Sequence, residues 1–177
     1  MTSNPELLDK ARHIRLLAVD IDGTLTDGRV YYAEDGSSLV AFHTRDGYGI
    51  KQWQQLGLRF AALSGRHSAG VLRRMQTLGV SDTLLGVQEK RAPLQRLLDK
   101  HHLQPTQLCY IGDDHIDVPA MQLAGLAIAV ADATAPCLAA ADHQTRLAGG
   151  MGAVREVIDL LLQAQGLSLS MQHGASD

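Results

Sequence analysis

The chain has 177 residues, of which 45% are hydrophobic and 20% are charged, and its formal net charge is -3. This length and apolar content suit one globular domain with a sizeable core, so a second independent domain is not expected. The small negative charge excludes the global positive field that draws nucleic acid or anionic lipid to a protein, and we expect neither as a partner.

The sequence gives no signal for export or for insertion into a membrane. Its first residues mix acids and bases and lack the apolar run of a signal peptide, and the most apolar later run, residues 124–141, contains Asp132 and Pro136. Cys109 and Cys137 lie far apart with no Cys-x-x-Cys spacing, which favours neither a disulfide framework nor a zinc site. We therefore expect a cytoplasmic protein.

Short apolar runs alternate with segments of helical periodicity, which is the pattern of a mostly parallel sheet with helices on both faces. The expected strands are residues 15–21, 58–63, 83–85, 108–111 and 126–130. The expected helices are residues 49–55, 67–78, 90–101, 118–123 and 153–163. The fold class predicted is α/β and Rossmann-like.

One insertion interrupts this alternation. Residues 29–32 and 39–42 flank an Asp-Gly turn and predict a short β-hairpin. The remaining intervals already contain core strands and helices and leave no room for a cap domain, because domains seldom have fewer than about 50 residues. We expect one domain over residues 1–177, with a loose tail after about residue 166.

Clusters of polar residues directly follow three of the expected strands. They are Asp20-Ile21-Asp22-Gly23-Thr24, Ser64-Gly65-Arg66 and Gly112-Asp113-Asp114. Because ligands bind at the carboxyl ends of the strands in open parallel sheets, these clusters should meet at one edge.

The acidic residues of these clusters need a counter-charge. Two carboxylates held close together repel, and either a shared proton or a bound cation can offset the repulsion. Asp113, Asp114 and Asp117 add negative charge beside Asp20 and Asp22, which a single proton could not neutralise. A hard divalent cation with oxygen ligands, Mg²⁺, is the simplest solution.

Groups that bind anions follow other strands. Ser64 and Gly65 offer a hydroxyl and free backbone amides, and Lys90 stands at the start of an expected helix. Together with Mg²⁺ these groups form a receptor for a phosphoryl group. A carboxylate such as Asp20 could attack phosphorus there only if the metal and the lysine first reduce the repulsion between the two anions.

Four motifs in order resemble those of the haloacid dehalogenase superfamily of phosphohydrolases. They are Asp20-x-Asp22-Gly-Thr24, Ser64-Gly-Arg66, Lys90 and Gly112-Asp113-Asp114-x-x-Asp117. Four runs narrow the resemblance to phosphatases that act on the phosphate ester of an eight-carbon keto sugar acid used in lipopolysaccharide precursor synthesis. They are residues 43–50, the run IGDDHIDVPAM, the run VADA and residues 148–157. The resemblance covers roughly residues 14 to 166. Thr24 stands where many members have valine, and Ser64 where many have threonine.

The resemblance implies a role for each residue of the motifs. Asp20 is the nucleophile that forms an aspartyl phosphate, and Asp22 is the general acid and then the base that activates water. Ser64 and Lys90 hold phosphoryl oxygens. Mg²⁺ is bound by the Asp20 carboxylate, the Asp22 main-chain carbonyl and Asp113. Asp114 and Asp117 either ligate the metal directly or support Lys90, a metal-bound water or the next helix.

The resemblance also implies where a small phosphorylated sugar acid binds. These residues are Asp22, His43, Thr44, Arg45, Asp46, Gly47, Lys51, Arg66, Arg74 and Lys90. A plainer interpretation is that Thr44 or Asp46 only caps the following helix. Of the remaining side chains, Trp53, Tyr31 and Tyr32 are expected to pack, and His101-His102 is expected to be a solvated helix end.

Without a cap domain, the catalytic edge of a monomer is open to water. The resemblance implies a homotetramer in which the hairpins pack together and C-terminal segments approach neighbouring sites, which would give residues 30–42 and 148–153 a role in assembly. Two other functions stay open. The first is hydrolysis of a nine-carbon keto sugar acid phosphate or another small phosphate. The second is a non-enzymatic, Mg²⁺-dependent oligomerising module, against which Asp22 favours catalysis.

Overall fold

The structure is a computed structural model that describes residues 4–167. The strands are β1 (Leu16–Asp20), β2 (Tyr31–Tyr32), β3 (Ser38–Leu39), β4 (Arg59–Ser64), β5 (Asp82–Leu85), β6 (Leu108–Gly112), β7 (Leu126–Ala129) and β8 (His143–Gln144). The helices are α1 (Pro5–Arg12), α2 (Thr44–Gln55), α3 (Ala69–Thr77), α4 (Arg91–His101), α5 (Val118–Met121), α6 (Ala135–Ala140) and α7 (Ala153–Ala164). The tail expected after about residue 166 lies almost wholly outside the described residues.

Six strands form a parallel sheet in the order β5-β4-β1-β6-β7-β8. Strand β1 lies in the middle, where Asp20 is in register with Leu63 of β4 and Val19 with Ile111 of β6. All residues of β1 are buried because helices cover both faces of the sheet. The expected Rossmann-like α/β fold is confirmed, and the carboxyl ends of β1, β4 and β6 meet at one edge.

The sheet divides the apolar core into two clusters. One cluster lies under α1, α2, α3 and α7 and contains Trp53, which packs as expected, and Ile158. The other lies under α4, α5 and α6 and contains Leu94 and Tyr110. No helix within residues 4–167 has the length and apolar character needed to cross a bilayer.

Three short elements were not expected from the sequence. Helix α1 begins at Pro5 because the Oδ1 of Asn4 accepts hydrogen bonds from the amides of Glu6 and Leu7. Helix α6 and strand β8 are too short to give a clear periodic signal.

Helix α2 begins at Thr44, well before the expected start at residue 49. His43 is its N-cap, and its Nδ1 accepts a hydrogen bond from the amide of Arg45. The alternative in which Thr44 or Asp46 caps this helix is therefore wrong. The glycines at 47 and 49 weaken the periodic signal of the first turns, because glycine disfavours a helix interior.

The hairpin is confirmed, but its strands contain only Tyr31–Tyr32 and Ser38–Leu39. Tyr31 and Tyr32 are 54% and 76% exposed, so the expectation that they pack within the chain is wrong. Within residues 4–167, this hairpin is the only insertion between β1 and α2, and no cap domain covers the end of β1.

A buried carboxylate ties α4 to the edge strand β5. Asp82 accepts a hydrogen bond of 2.6 Å from the Nζ of Lys100 and lies 2.7 Å from the Nε2 of His101, whose side chain is only 8% exposed. The expectation of a solvated helix end is therefore wrong for His101. Burial tends to raise the pKa of Asp82, but the hydrogen bonds from Lys100 and His101 outweigh it and lower the pKa below its usual value.

Replacing Asp82 with asparagine is expected to reduce the free energy of unfolding by about 1–2 kcal/mol at neutral pH, because the charged acceptor is lost. The pKa of Asp82 is lower in the folded state, so its stabilising effect is complete above its unfolded pKa of about 4 and is lost as the pH falls through the folded pKa. Urea unfolding of the unmodified protein and of Asp82→Asn, at neutral pH and at about pH 3, measures how their difference in free energy of unfolding changes with pH. A difference between the two proteins that stays constant down to the lower pH would contradict the account.

Candidate active site

The chain leaves β1 at Asp20 and turns sharply through Ile21–Leu25. Gly23 has a φ of +103°, and a Cβ at this position would lie 2.2 Å from the Oδ2 of Asp113. The turn is closed by Thr26, whose amide and hydroxyl both donate to the carbonyl of Ile21. Glycine is therefore required at position 23, because both the backbone conformation and the approach of Asp113 exclude a side chain.

The glycine-rich loop before α7 packs directly on this turn. A Cβ at Gly149 would lie 1.6 Å from the carbonyl oxygen of Gly23, and the amide of Gly150 donates to the carbonyl of Thr24 at 3.0 Å. The amide of Gly149 donates to the Oδ1 of Asp132 at 2.9 Å. Within one chain, this loop therefore packs on Ile21–Leu25, the catalytic turn, and supports its backbone conformation.

Lys90 links two acidic residues at the centre of the site. Its side chain is fully buried, and its Nζ donates to the Oδ1 of Asp20 and, at 2.6 Å, to the Oδ1 of Asp117. Burial alone would lower the pKa of Lys90, but attraction to both carboxylates raises it above its usual value. Lys90 is therefore a fixed positive charge against the oxygen of Asp20.

Asp117 is held by four hydrogen bonds. Its Oδ1 accepts from Lys90 and from the hydroxyl of Tyr110, the latter at 2.7 Å. Its Oδ2 accepts from the amides of Asp113 and Asp114 at 3.1 and 3.2 Å. These contacts favour the second of the two roles predicted from the sequence, in which Asp117 supports Lys90 and the loop after β6.

The site carries more negative than positive charge. Carboxylate oxygens of Asp20, Asp113 and Asp117 lie within 4.8 Å of one another, and these three acids face the single ammonium of Lys90. Burial raises the pKa of Asp20, although Lys90 acts in the opposite direction. Burial and then the charge of Asp117 raise the pKa of Asp113 to about 6. An oxygen-rich, negatively charged cluster of this kind fits Mg²⁺.

Asp22 lies beside the cluster and is held by residues that follow β4. The hydroxyl of Ser64 donates to its Oδ2 at 2.7 Å, and the Nη1 of Arg66 lies 3.2 Å from its Oδ1. The Oγ of Ser64 also accepts from the amide of Arg66 at 2.9 Å. The side chain of Asp22 stays 23% exposed, so it can exchange protons with a ligand or with water.

Asp114 points away from the buried acids. Its Oδ1 accepts from the amide of His115 at 2.7 Å and from the hydroxyl of Thr134 at 3.2 Å. The bonds from His115 lower the pKa of Asp114. This geometry matches the predicted role as a cap of the following helical turn.

The segment predicted to contact substrate forms the first turns of α2. Thr44 and Arg45 are exposed, whereas Asp46 is buried and its Oδ1 accepts from the amide of Arg155 at 2.7 Å. The other oxygen of Asp46 has no partner within residues 4–167, and burial raises the pKa of this carboxyl. Arg45 also lines a groove of about 830 Å³ along α7, which the catalytic residues do not line.

The other predicted contacts occupy two places. Lys51 is exposed on α2. Arg74 of α3 packs its guanidinium 5.9 Å from the ring centre of Phe42, and a Cβ at Gly47 would lie 2.4 Å from its Nη2. Among residues 4–167, no hydrogen bond or ion pair joins residues 43–51, Arg66 or Arg74 to the acids around Lys90. Of the predicted cations at 45, 51, 66 and 74, Arg66 is the one that contacts Asp22.

The contacts of two hydroxyl groups in the site are not predicted from the sequence, in which Tyr110 has no assigned role and Thr24 is only a motif residue. The apolar run at residues 108–111 predicts a buried strand and assigns no separate role to Tyr110. The available signal is its hydroxyl, because a buried tyrosine hydroxyl usually has a partner. The hydroxyl of Thr24 donates to the Oδ1 of Asp113 at 3.3 Å. Many relatives are expected to have valine there, which could not make this bond.

The fold and the site define a haloacid dehalogenase-like hydrolase. The model of that family, described as haloacid dehalogenase-like hydrolase, matches residues 86–158, which include Lys90 and the acids after β6. A curated 3-deoxy-D-manno-octulosonate 8-phosphate phosphatase of Escherichia coli strain K12 is 45% identical over 161 residues, which are 91% of this chain and 86% of the relative.

Solved structures of related phosphatases have the same fold as this chain. The crystal structure of 3-deoxy-D-manno-octulosonate 8-phosphate phosphatase from Yersinia pestis has a TM-score of 0.90 at 42% identity, covering 92% of this chain and 88% of that one. The enzyme from Moraxella catarrhalis, in complex with magnesium ion, phosphate ion and a 3-deoxy-D-manno-octulosonate (KDO) molecule, has a TM-score of 0.89 at 40% identity, covering 91% and 92%. The chain belongs to the family of 3-deoxy-D-manno-octulosonate 8-phosphate phosphatases.

Proposed function

We propose that this protein is a Mg²⁺-dependent phosphatase that hydrolyses KDO 8-phosphate to KDO and inorganic phosphate in lipopolysaccharide precursor synthesis. The observation that carries the proposal is the buried contact of Lys90 with Asp20 at the end of β1, beside Asp113. Relatives that cover most of the chain and are named for this reaction support the choice of substrate.

Asp20 is the nucleophile in this proposal. One oxygen of its carboxylate attacks phosphorus in line with the ester oxygen, a bond forms between Asp20 and phosphorus, and the bond from phosphorus to the sugar oxygen breaks. Lys90 and the hydroxyl of Ser64 hold the phosphoryl oxygens and reduce the repulsion between the two anions. The fixed position of Lys90 against Asp20 and Asp117 supports this role.

Asp22 transfers the protons. In its acid form it gives a proton to the departing sugar oxygen, and as a carboxylate it then takes a proton from the water that attacks the aspartyl phosphate. The water oxygen leaves with the phosphate, and Asp20 is regenerated. The bonds from Ser64 and Arg66 support this role because they fix the partly exposed carboxylate at the edge of the site.

Mg²⁺ would be held by the carboxylates of Asp20 and Asp113 and by the main-chain carbonyl of Asp22. When bound, it supplies positive charge that neutralises the phosphoryl oxygens and the surrounding acids. Asp113 is itself held by Thr24 and by the close approach of Gly23, so that its carboxylate faces Asp20. Asp117 stays outside this set, because both of its oxygens accept hydrogen bonds from protein donors. Asp114 also stays outside it, because its Oδ1 accepts from the amide of His115 and the hydroxyl of Thr134.

The sugar acid is proposed to bind along the open edge of the sheet between the catalytic turn and α2. Arg66 forms an ion pair with Asp22, and the guanidinium of Arg74 lies beside Gly47 of α2. The proposed contacts are His43, Thr44, Arg45, Asp46, Gly47, Lys51, Arg66 and Arg74, together with Asp22 and Lys90.

A panel of phosphorylated sugar acids tests the substrate assignment. We expect the purified protein to release inorganic phosphate from KDO 8-phosphate with a higher kcat/KM than from a nine-carbon keto sugar acid phosphate or a hexose phosphate. Release should stop when a chelator is added and return with excess Mg²⁺. Faster turnover of the nine-carbon substrate would show that it, and not KDO 8-phosphate, is the preferred substrate. The absence of phosphate release from every ester would favour the non-enzymatic module.

We also propose that the chain acts as a single hydrolase domain in a cytoplasmic homotetramer whose assembly completes the substrate pocket. Support for assembly comes from the hairpin, where Tyr31, Tyr32 and Leu39 are all more than half exposed. Large apolar side chains grouped on one small element are typical of an interaction surface. The two cysteines are buried and unpaired, which fits a reducing compartment.

Replacing Tyr32 and Leu39 with serine is expected to convert the tetramer into smaller species and to raise KM by about tenfold or more, as contacts worth at least 1.4 kcal/mol are lost. Light scattering and steady-state kinetics measure the two effects. Leu72 on α3 is 42% exposed, and its replacement with serine is the matched control. A fully active monomer would contradict the role given to assembly.

A further inference from the structure

Tyr110 is a buried polar side chain that contacts the carboxylate of Asp117. It lies in the middle of β6, is completely buried, and belongs to the apolar cluster under α4, α5 and α6. Its hydroxyl donates to the Oδ1 of Asp117 at 2.7 Å. Burial, followed by the charge of Asp117, raises the pKa of Tyr110 well above its usual value, so the hydroxyl stays a donor.

The oxygen that Tyr110 contacts is the same one that binds Lys90. The Nζ of Lys90 lies 2.6 Å from the Oδ1 of Asp117, and its other acidic partner is Asp20. A carboxylate bound only by Lys90 and by the loop amides could rotate about its side-chain torsions and carry the ammonium with it. The second donor on Oδ1 opposes this rotation, because each further hydrogen bond restricts the orientations the carboxylate can adopt.

We propose that Tyr110 is a positioning residue for phosphoryl transfer, which acts through Asp117 to hold the Lys90 ammonium against the nucleophile. The buried series Tyr110, Asp117, Lys90 and Asp20 connects the hydrophobic core to the reacting oxygen. Tyr110 itself touches neither substrate nor metal. The inference rests on the proposed phosphoryl transfer through Asp20, but not on which sugar acid carries the phosphate.

A purely structural role for Tyr110 makes a different prediction. If the ring only fills space in the core, Tyr110→Phe keeps the packing and leaves kcat/KM of the folded protein unchanged. If the hydroxyl only satisfies a buried acceptor, its loss lowers stability without altering the reaction. A role through Asp117 instead makes the effect of Tyr110→Phe on activity depend on the presence of Asp117.

A double-mutant cycle separates these cases. The four proteins are the unmodified chain, Tyr110→Phe, Asp117→Ala and the double variant, assayed with KDO 8-phosphate and with p-nitrophenyl phosphate. Affinity for orthovanadate, measured by calorimetry in the presence of Mg²⁺, provides a readout that needs no turnover. Cys109→Ala is the matched control, because Cys109 is the buried neighbour on the same strand and belongs to the cluster on the opposite face of the sheet.

We expect Tyr110→Phe to lower kcat/KM by about tenfold, mainly through kcat, and to weaken vanadate binding in parallel. In the Asp117→Ala background the same change should have an effect of less than about twofold, because the hydroxyl has lost its partner. Cys109→Ala should lower the melting temperature without changing kcat. An unchanged kcat/KM in Tyr110→Phe, or an equal loss in both backgrounds, would overturn the inference.

The experiment also distinguishes this inference from the substrate assignment. If the unmodified protein fails to release phosphate from KDO 8-phosphate, the proposed function fails. The cycles with p-nitrophenyl phosphate and with vanadate still decide whether Tyr110 acts through Asp117.

Discussion

Replacing Asp20 with asparagine is expected to abolish phosphate release while the protein stays folded. Asparagine has nearly the same shape, but its amide cannot attack phosphorus. Lys90 keeps Asp117 as a charged partner in this variant, and one charge is removed from a cluster that carries surplus negative charge. The folded state should therefore tolerate the substitution, and the loss should be in turnover alone.

Phosphate release and thermal unfolding of the same preparations measure the two parts of this prediction. Asp99→Asn is the matched control, since Asp99 is an exposed acid on α4 whose carboxylate accepts a hydrogen bond from Gln95. It should retain full activity. Near-normal turnover by Asp20→Asn would show that another group is the nucleophile.

Replacing Asp22 with asparagine is expected to lower kcat for KDO 8-phosphate by about 10²- to 10⁴-fold, the range usual for general acid–base groups. Asparagine keeps an acceptor for the hydroxyl of Ser64, so the geometry beside Arg66 should survive. The main-chain carbonyl of residue 22 is also retained. The loss should therefore reflect proton transfer rather than the metal site.

A substrate with a good leaving group sharpens this test. p-Nitrophenolate needs little protonation, so Asp22→Asn should still form the aspartyl phosphate from p-nitrophenyl phosphate but hydrolyse it slowly. Rapid mixing should then show a burst of p-nitrophenol equal to the amount of enzyme. If Asp22→Asn lowers kcat equally for both substrates and no burst of p-nitrophenol appears, Asp22 is needed before proton transfer. Its assigned role as the proton-transfer group would then be wrong.

The sheet could be predicted from the sequence because its signal is local. Residues 15–21 and 108–111 are short apolar runs that end in polar residues, and such runs behave as buried strands in most contexts. The meeting of Asp20, Ser64 and Asp113 then follows from topology, since parallel strands expose their carboxyl ends at one edge.

The supports of the site could not be predicted, because they depend on contacts distant in sequence. The packing of Gly149 on Gly23 and the bond from Thr24 to Asp113 each join segments more than about 80 residues apart, which no periodicity encodes. The start of α2 was missed because two glycines mask its first turns. The exposed Tyr32 was expected to pack because its large ring is usually buried.

Rapid acid quenching during turnover of KDO 8-phosphate, followed by mass spectrometry of the peptide spanning residues 16–29, examines the covalent step itself. The account predicts one phosphoryl group on this peptide, located on Asp20, in the presence of Mg²⁺ and none when the metal is chelated. Phosphate release with the phosphoryl group on a different peptide would contradict the mechanism. Phosphate release without any phosphorylated protein would also contradict it, if none is found even in Asp22→Asn, which should accumulate the aspartyl phosphate.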